Sequence, residues 1–131
     1  MSARIAVIED NSTNLDLMVY LLRAFGHTTL VARDGKAGRE MVESHQPDLV
    51  ICDIALPEIN GYEVARQIKL NPRLMGIPLV AATAFAMAGE QMRLLQAGFD
   101  AYISKPINPE TFVTELEACL PTPAFACGGG W

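Results

Sequence analysis

The fold of this chain is decided by residues 49–70, LVICDIALPEINGYEVARQIKL. The first four residues are continuously apolar, which is typical of a strand buried on both faces of a parallel sheet. The strand stops at Asp53, and residues 62–70 then place Val64 and Ile68 four apart, on one face of a helix. The stretch predicts a strand–loop–helix unit with a carboxylate at the carboxyl end of its strand.

The same alternation of apolar run and amphipathic stretch continues in both directions along the chain. Four further strands are predicted at residues 5–8, 28–32, 79–82 and 101–104, the second of them polar enough to lie at a sheet edge. The first helix presents Leu15, Met18, Leu22 and Phe25 on one face and stops at Gly26. The remaining helices are predicted at residues 35–43, at 89–97 with Met92 and Leu95, and from about Pro109 to Pro121 with Phe112, Leu116 and Leu120 at four-residue spacing.

This order of elements is (βα)5, an α/β fold with a doubly wound parallel sheet and helices on both faces. Right-handed crossovers and a central first strand favour the strand order 2-1-3-4-5 of flavodoxin-like folds. The chain has 131 residues, half of them hydrophobic, which fits one domain. We expect that domain over residues 1–121 and a disordered tail, rich in glycine, over residues 122–131.

Composition excludes several classes of function. A net charge of −5 argues against direct nucleic-acid binding, which needs a basic surface. No apolar run approaches the length of a membrane span, so we expect no membrane insertion. The cysteines, Cys52, Cys119 and Cys127, lack metal-ligand spacing, and Cys52 lies inside an apolar run as a core residue. A reducing cytoplasm is the expected location.

Reactive side chains follow four of the five strands. In open α/β sheets, ligands bind beyond the carboxyl ends of the strands, where the strand order reverses. The first strand is followed by Glu9 and Asp10, the third by Asp53, the fourth by Thr83 and the fifth by Lys105. Three carboxylates, a hydroxyl and an ammonium are therefore predicted to converge on one edge of the sheet.

Three neighbouring carboxylates repel one another, and a bound cation relieves that repulsion. Hard oxygen ligands with room for water suit Mg²⁺. An aspartate can also act as a nucleophile toward phosphorus, and phosphoryl transfer needs mainly positioning and charge neutralisation. Lys105 would supply positive charge opposite the metal, and Thr83 a hydrogen bond to a phosphoryl oxygen.

These residues carry a family resemblance over residues 4 to about 120. The chain resembles the response-regulator receiver domains of two-component signalling systems, in which such motifs occur in this order. The matching motifs are Glu9-Asp10, Asp53 followed by Leu56-Pro57 and Asn60-Gly61, Ala82-Thr83-Ala84, and Lys105-Pro106.

The resemblance implies a role for each of the converging residues. Asp53 would be the phosphoacceptor, and Asp10 and Asp53 would be Mg²⁺ ligands together with the carbonyl of Ala55. Glu9 would contribute through a metal-bound water. Thr83 and Lys105 would hold the phosphoryl group, and the Lys105–Pro106 peptide bond corresponds to one that is cis in the family.

The resemblance also implies a conformational switch and a set of partners. Tyr102 would turn inward as Thr83 moves toward the phosphate, which remodels the face made by the fourth helix, fifth strand and fifth helix. The phosphoryl donor would be a phosphohistidine on a sensor kinase or on a phosphotransfer protein. The protein would be a monomer or a phosphorylation-dependent dimer, and would assist its own phosphorylation and dephosphorylation without being a metabolic enzyme. It would be either a stand-alone receiver or the receiver of a longer hybrid kinase or regulator.

Two positions depart from what a fast-hydrolysing receiver needs. Ala55 and Phe85 stand where family members carry residues that flank the phosphoryl group and tune its hydrolysis. Neither side chain has a polar group to orient an attacking water. We therefore expect a long-lived phosphorylated form.

Alternative interpretations of these residues remain at this point. A phosphatase of the haloacid dehalogenase type would need a second aspartate where Ala55 stands. A flavodoxin-like binding module would need a phosphate-binding loop after the first strand, where Glu9 and Asp10 would repel a phosphate. A degenerate receiver used as a scaffold would not need all the site residues.

Taken alone, each of several residues also has a purely structural interpretation: Thr83 as a packing residue, Lys105 as a solvated lysine and Tyr102 as a half-buried packing tyrosine. Surface or capping roles are favoured for His27 and His45, and the sequence leaves open whether Phe85, Met87 and Met92 are core residues or part of a partner-binding face.

Overall fold

A computed structural model describes residues 2–84 and 87–120 of the chain. Within these residues five strands alternate with five helices along the chain. The elements are β1 (Arg4–Ile8), α1 (Ser12–Ala24), β2 (Thr28–Ala32), α2 (Gly35–His45), β3 (Leu49–Asp53), α3 (Gly61–Leu70), β4 (Leu79–Thr83), α4 (Ala88–Ala97), β5 (Ala101–Ser104) and α5 (Phe112–Glu117).

The strands form one parallel sheet in the order β2-β1-β3-β4-β5, which confirms the predicted fold and strand order. Strands β3 and β4 are buried along their whole length, as their continuous apolar sequence predicts. The more polar β2 lies at a sheet edge and is only partly buried. Burial on both faces therefore follows from position in the sheet, with the central strands carrying the most apolar sequence.

Helices cover both faces of the sheet and divide the core into two layers. Helices α1 and α5 pack on one face, against alternate side chains of the central strands. Helices α2, α3 and α4 pack on the other. The helix residues that anchor these layers are Leu15, Met18, Leu22, Phe112 and Leu116 on the first face and Val42, Val64, Ile68 and Leu94 on the second.

Three loops that leave the carboxyl edge of the sheet run directly into capped helices. The side chains of Asn11, Asp34 and Asn60 accept hydrogen bonds from backbone N–H groups in the first turns of α1, α2 and α3. Since these groups have no partner within the helix itself, each cap fixes where its helix begins. The caps thus hold short loops close to the edge where the candidate site lies.

Two helix faces differ from the sequence prediction. Phe25 was expected to pack with Leu15 and Leu22, yet α1 ends at Ala24 and the Phe25 side chain is 56% exposed. In α4, Leu95 is exposed and Leu94 is the residue that packs into the core; Met92, for which the sequence left both possibilities open, is exposed as well. Apolar spacing predicts the buried face of a helix poorly where the pattern continues past the end of the helix, as at Phe25, or where the helix is short, as in α4.

The surface or capping role expected of His27 is wrong, because its side chain is buried. Its Nδ1 accepts a hydrogen bond from the N–H of Ala3 at 3.1 Å, and its Nε2 lies 2.8 Å from a carboxylate oxygen of Glu117. The ring therefore joins the start of β1 to α5. His45, by contrast, is exposed at the end of α2.

The last helix spans Phe112–Glu117, shorter than predicted, although Phe112, Leu116 and Leu120 are all buried as their spacing indicates. Residues 121–131, which include the predicted tail and Cys127, lie outside the described residues. In the described part of the chain, none of the helices combines the length and apolar character that crossing a bilayer requires.

Candidate functional site

The carboxyl ends of β1, β3, β4 and β5 meet at one edge of the sheet and bring the predicted site residues together. The register pairs Ile8 with Cys52 and Thr83 with Ser104, so these strands end at nearly the same level. The backbone N–H of Lys105 donates to the carbonyl of Thr83 at 2.8 Å, which ties the residue after β5 to the end of β4. Side chains that are far apart in sequence thus face one small pocket.

The acidic residues of the site form a compact cluster. One carboxylate oxygen each from Glu9, Asp10 and Asp53 lies within 4.8 Å of the others. Glu9 is 1% exposed and Asp53 is 5% exposed, whereas Asp10 is open to solvent. Two of the three carboxyl groups are therefore buried in the protein interior, where repulsion between charged groups is strongest.

Lys105 lies between the two buried carboxylates. Its Nζ atom is 3.0 Å from Oε1 of Glu9 and 3.0 Å from Oδ1 of Asp53. Burial would lower the pKa of Lys105, but the hydrogen bonds to both carboxylates outweigh it and hold the pKa above its ordinary value. The ammonium thus stays charged and offsets part of the negative charge of the cluster.

The surroundings of Glu9 strongly perturb the pKa of its carboxyl group. Burial, followed by the nearby Asp53 carboxylate, raises the pKa of Glu9 to about 7, despite the opposing effect of Lys105. Its Oε2 accepts the N–H of Asn11 at 3.2 Å, while its Oε1 is buried and, among the described residues, has the Lys105 ion pair but no well-formed hydrogen bond. This oxygen is suited to accept a bond from a ligand or water.

Asp53 is positioned by the backbone around it. Its Oδ1 accepts the N–H of Ala55 at 3.2 Å. The helix that follows approaches so closely that a Cβ atom at Gly61 would lie 2.5 Å from the Asp53 carbonyl oxygen and 2.7 Å from the Cα of Ile54. Glycine at this position therefore lets the loop fold back onto the end of β3.

Sequence reasoning missed one carboxylate that lines the same pocket. Glu90, on the first turn of α4, shares the pocket with Asp53, Ala55, Thr83 and Lys105. The hydroxyl of Thr83 donates to Oε1 of Glu90 at 3.4 Å. The only signal in the sequence was an acidic residue in the first turn of the helix after β4, and helix starts favour acidic residues for other reasons.

Tyr102 lies on β5 with its ring directed away from the core. The side chain is 40% exposed, and its hydroxyl accepts a hydrogen bond from Nε2 of Gln91 on α4 at 3.0 Å. The Lys105–Pro106 peptide bond is cis, as the resemblance implied. Phe85, the other departure singled out in the sequence, lies outside the described residues.

The donor set fits a small divalent cation. Carboxylate oxygens are the ligands Mg²⁺ prefers, and it commonly keeps several waters when it binds through one or two carboxylates. Exposed Asp10 leaves the cluster open to solvent on one side, and buried Oε1 of Glu9 offers an acceptor for a metal-bound water. Glu9, Asp10 and Asp53 therefore match a hydrated Mg²⁺ in both chemistry and access.

A family model and a curated relative both match this chain over most of its length. A family model described as the response regulator receiver domain matches residues 5–117. The polar-differentiation response regulator DivK of Brucella ovis is 39% identical over 120 residues, which cover 92% of this chain and 98% of that protein.

The fold of this chain is also similar to those of solved receiver and response-regulator structures. The receiver domain of a sensor histidine kinase from Pseudomonas aeruginosa PAO1, which has a magnesium ion coordinated in its active-site cleft, matches with a TM-score of 0.83 and 28% identity over 91% of this chain and 98% of that one. A chemotaxis response regulator of Vibrio cholerae matches with a TM-score of 0.87 over 92% of this chain and all of that one; at 20% identity, the likeness is one of fold alone.

Proposed function

Because this chain belongs to the response regulator receiver domain family of two-component signalling systems, we propose that Asp53 is its phosphoacceptor. An oxygen of the Asp53 carboxylate would form a bond to phosphorus as the bond from phosphorus to a donor histidine nitrogen breaks, the nitrogen keeping the electron pair. The observation that carries the proposal is the position of Asp53, a buried carboxylate 3.0 Å from an ammonium in a small pocket.

The other site residues have roles that follow from their contacts. Lys105, which already pairs with Asp53, would stabilise the charge of the phosphoryl oxygens, and the Thr83 hydroxyl would donate to one of them. Asp10, Asp53 and the carbonyl of Ala55 would bind Mg²⁺, with Glu9 acting through a bound water. When bound, Mg²⁺ would add its positive charge to that of Lys105 and help neutralise the transferred group.

The cofactor proposal has support from the molecule and from a relative. The acidic cluster has the oxygen ligands and the open side that a hydrated Mg²⁺ needs. The sensor-kinase receiver domain from Pseudomonas aeruginosa carries magnesium in its cleft.

We infer that the output of the domain is a change in the face formed by α4, β5 and α5. Thr83 and Tyr102 would be the switch residues: as Thr83 moves toward the phosphoryl group, Tyr102 would give up its hydrogen bond to Gln91 and turn inward. Leu95 and Tyr102, which line one groove between α4 and β5, expose apolar surface on this face, which suits a partner-binding surface.

The proposed partners are those of a phosphorelay. A sensor histidine kinase or a histidine phosphotransfer protein would donate the phosphoryl group, and a downstream protein would bind the output face. The net charge of −5 agrees with partners other than nucleic acid. We place the protein in the cytoplasm, as a monomer or as a dimer formed on phosphorylation.

The test of this function is intact-mass analysis after incubation with a small acyl phosphate, with and without Mg²⁺. We expect one phosphoryl adduct that needs Mg²⁺ and that hydroxylamine removes, since hydroxylamine cleaves acyl phosphates and leaves phosphoserine and phosphothreonine intact. A folded protein that acquires no adduct from the acyl phosphate or from any histidine-phosphorylated donor would refute the proposal.

The lifetime of the phosphorylated form is a further expectation. Ala55 lies at the pocket and has no polar group to orient an attacking water, so the adduct of the isolated domain is expected to persist for minutes or longer. Ala55→Gln is expected to speed phosphate loss roughly tenfold by positioning water, and Ala55→Val, which adds bulk without a polar group, is the control. Decay within seconds in the wild type, followed by intact mass after donor removal, would contradict this expectation.

A further inference from the structure

Glu90 occupies an unusual place for a carboxylate. It lies at the start of α4, its side chain is only 16% exposed, and it lines the pocket that holds Asp53, Thr83 and Lys105. A phosphoryl group on Asp53 carries between one and two negative charges at neutral pH and would enter this same pocket. The carboxylate of Glu90 would therefore be repelled by the phosphorylated state.

Glu90 also competes with a phosphoryl group for the hydroxyl of Thr83. A threonine hydroxyl has a single hydrogen to donate, and the Thr83 hydroxyl lies 3.4 Å from Oε1 of Glu90, within reach of such a bond. Under the proposed function, that hydrogen is donated to a phosphoryl oxygen once Asp53 is modified. The Thr83–Glu90 hydrogen bond must then break, whatever other contacts Thr83 makes.

A second set of partners for Glu90 lies on its other side. Nη1 of Arg93 is 3.8 Å from Oε2 of Glu90, a separation that leaves room for closer approach, and the guanidinium stacks 4.5 Å above the ring centre of Tyr62. Among the described residues, the buried hydroxyl of Tyr62 makes no well-formed hydrogen bond. Burial, followed by the Glu90 carboxylate, which already lies within reach of this hydroxyl, raises the pKa of Tyr62 to about 12, so the hydroxyl keeps its proton and can donate it to Glu90 after a small movement.

We propose that Glu90 is a positioning residue with two alternative partners. In the unphosphorylated protein it holds the hydroxyl of Thr83, and in the phosphorylated protein it moves to Tyr62 and Arg93. The inference rests on the proposed function, because it takes Asp53 as the phosphoacceptor. Since Glu90 belongs to α4, its exchange of partners would carry the first turn of that helix away from β4 and so connect the site to the output face.

The proposal predicts that two conservative substitutions change the steady-state level of phosphorylated protein in opposite directions. Glu90→Gln removes the charge and weakens the hold on Thr83, so phosphorylation by a small acyl phosphate with Mg²⁺ is expected to be roughly three- to tenfold faster than in the wild type. Tyr62→Phe removes only the second partner, so the phosphorylated protein is expected to lose its phosphoryl group faster and to accumulate less at steady state. Glu40→Gln, which removes the same charge from an exposed position on α2, is expected to match the wild type.

The measurements are the initial rate of adduct formation and the rate of its loss, both by intact mass, with urea unfolding to verify that each variant is folded. General damage to the site would slow phosphorylation in both variants, so the opposite directions distinguish positioning from a merely structural role. A phosphorylation rate of Glu90→Gln within twofold of that of Glu40→Gln, or steady-state levels of phosphorylated protein that change in the same direction in Glu90→Gln and Tyr62→Phe, would overturn the inference while leaving the phosphoacceptor assignment intact. A wild type that takes no phosphoryl group would overturn both.

Discussion

Asp53→Asn is expected to abolish the Mg²⁺-dependent phosphoryl adduct completely. The neutral amide is a poor nucleophile toward phosphorus, and the substitution also removes one of the three carboxylates of the proposed Mg²⁺ site. Asparagine has nearly the same shape as aspartate, and Lys105 still pairs with Glu9 in the variant, so the fold is expected to be retained. Intact mass under conditions that fully modify the wild type is the measurement.

Asp16→Asn is the matched control, since it makes the same chemical change at an exposed position on α1, away from the pocket. It is expected to be modified like the wild type. If Asp53→Asn still gained a hydroxylamine-sensitive phosphoryl group, another carboxylate would have to be the acceptor, and exposed Asp10 beside it would be the first to examine. That result would remove the central assignment of the proposed function.

Much of the fold could be predicted because local pattern and global topology agree. The continuously apolar residues of β3 and β4 indicate strands buried on both faces, and such strands occur in the middle of a parallel sheet. Once the strand order is known, the ends of four strands must share one edge. The convergence of Glu9, Asp53 and Lys105 therefore followed from the order of elements, although their distances did not.

What the sequence could not supply are contacts between residues far apart in the chain that have no repeating pattern. His27 is buried because it bonds to Ala3, 24 positions away, and to Glu117, 90 positions away. Glu90 lines the pocket because the first turn of α4 places its side chain beside the carboxyl ends of the strands. Hydrophobic periodicity reports which face of an element is buried, but it does not report which polar partners a buried side chain meets.

The position of Lys105 is the contact with the largest consequence for stability. Its Nζ atom lies 3.0 Å from a carboxylate oxygen of Glu9 and 3.0 Å from one of Asp53, so both carboxylates share its positive charge. Lys105→Met keeps most of the side-chain volume and removes the charge, which leaves two buried carboxylates facing each other. In a chelating buffer near pH 8 we expect the free energy of unfolding to fall by about 2–3 kcal/mol, somewhat below the ~3–5 kcal/mol typical of a fully buried pair, since Lys105 is 17% exposed.

The loss is expected to depend on pH through Glu9. Its carboxyl already has a pKa raised from 4.5 to about 7 by burial and by Asp53, with Lys105 acting in the opposite direction, so removing the ammonium raises it further. A carboxyl that binds its proton more tightly in the folded state than in the unfolded state makes stability fall as pH rises between its two pKa values. The deficit of Lys105→Met relative to the wild type should therefore be smaller near pH 6 than near pH 8, because protonation of Glu9 removes one of the opposed charges.

Urea unfolding at both pH values measures this, with Lys36→Met as the control for losing an exposed lysine. Adding Glu9→Gln to Lys105→Met should restore much of the stability, because the repulsion needs both carboxylates, and such non-additivity is expected only of groups that interact directly. Mg²⁺ should likewise stabilise Lys105→Met, since it brings positive charge to the same cluster. The stability loss of Lys105→Met could instead be equal at both pH values and unchanged by Glu9→Gln. In that case the Lys105 side chain would stabilise the fold through packing, and not by neutralising the repulsion between Glu9 and Asp53.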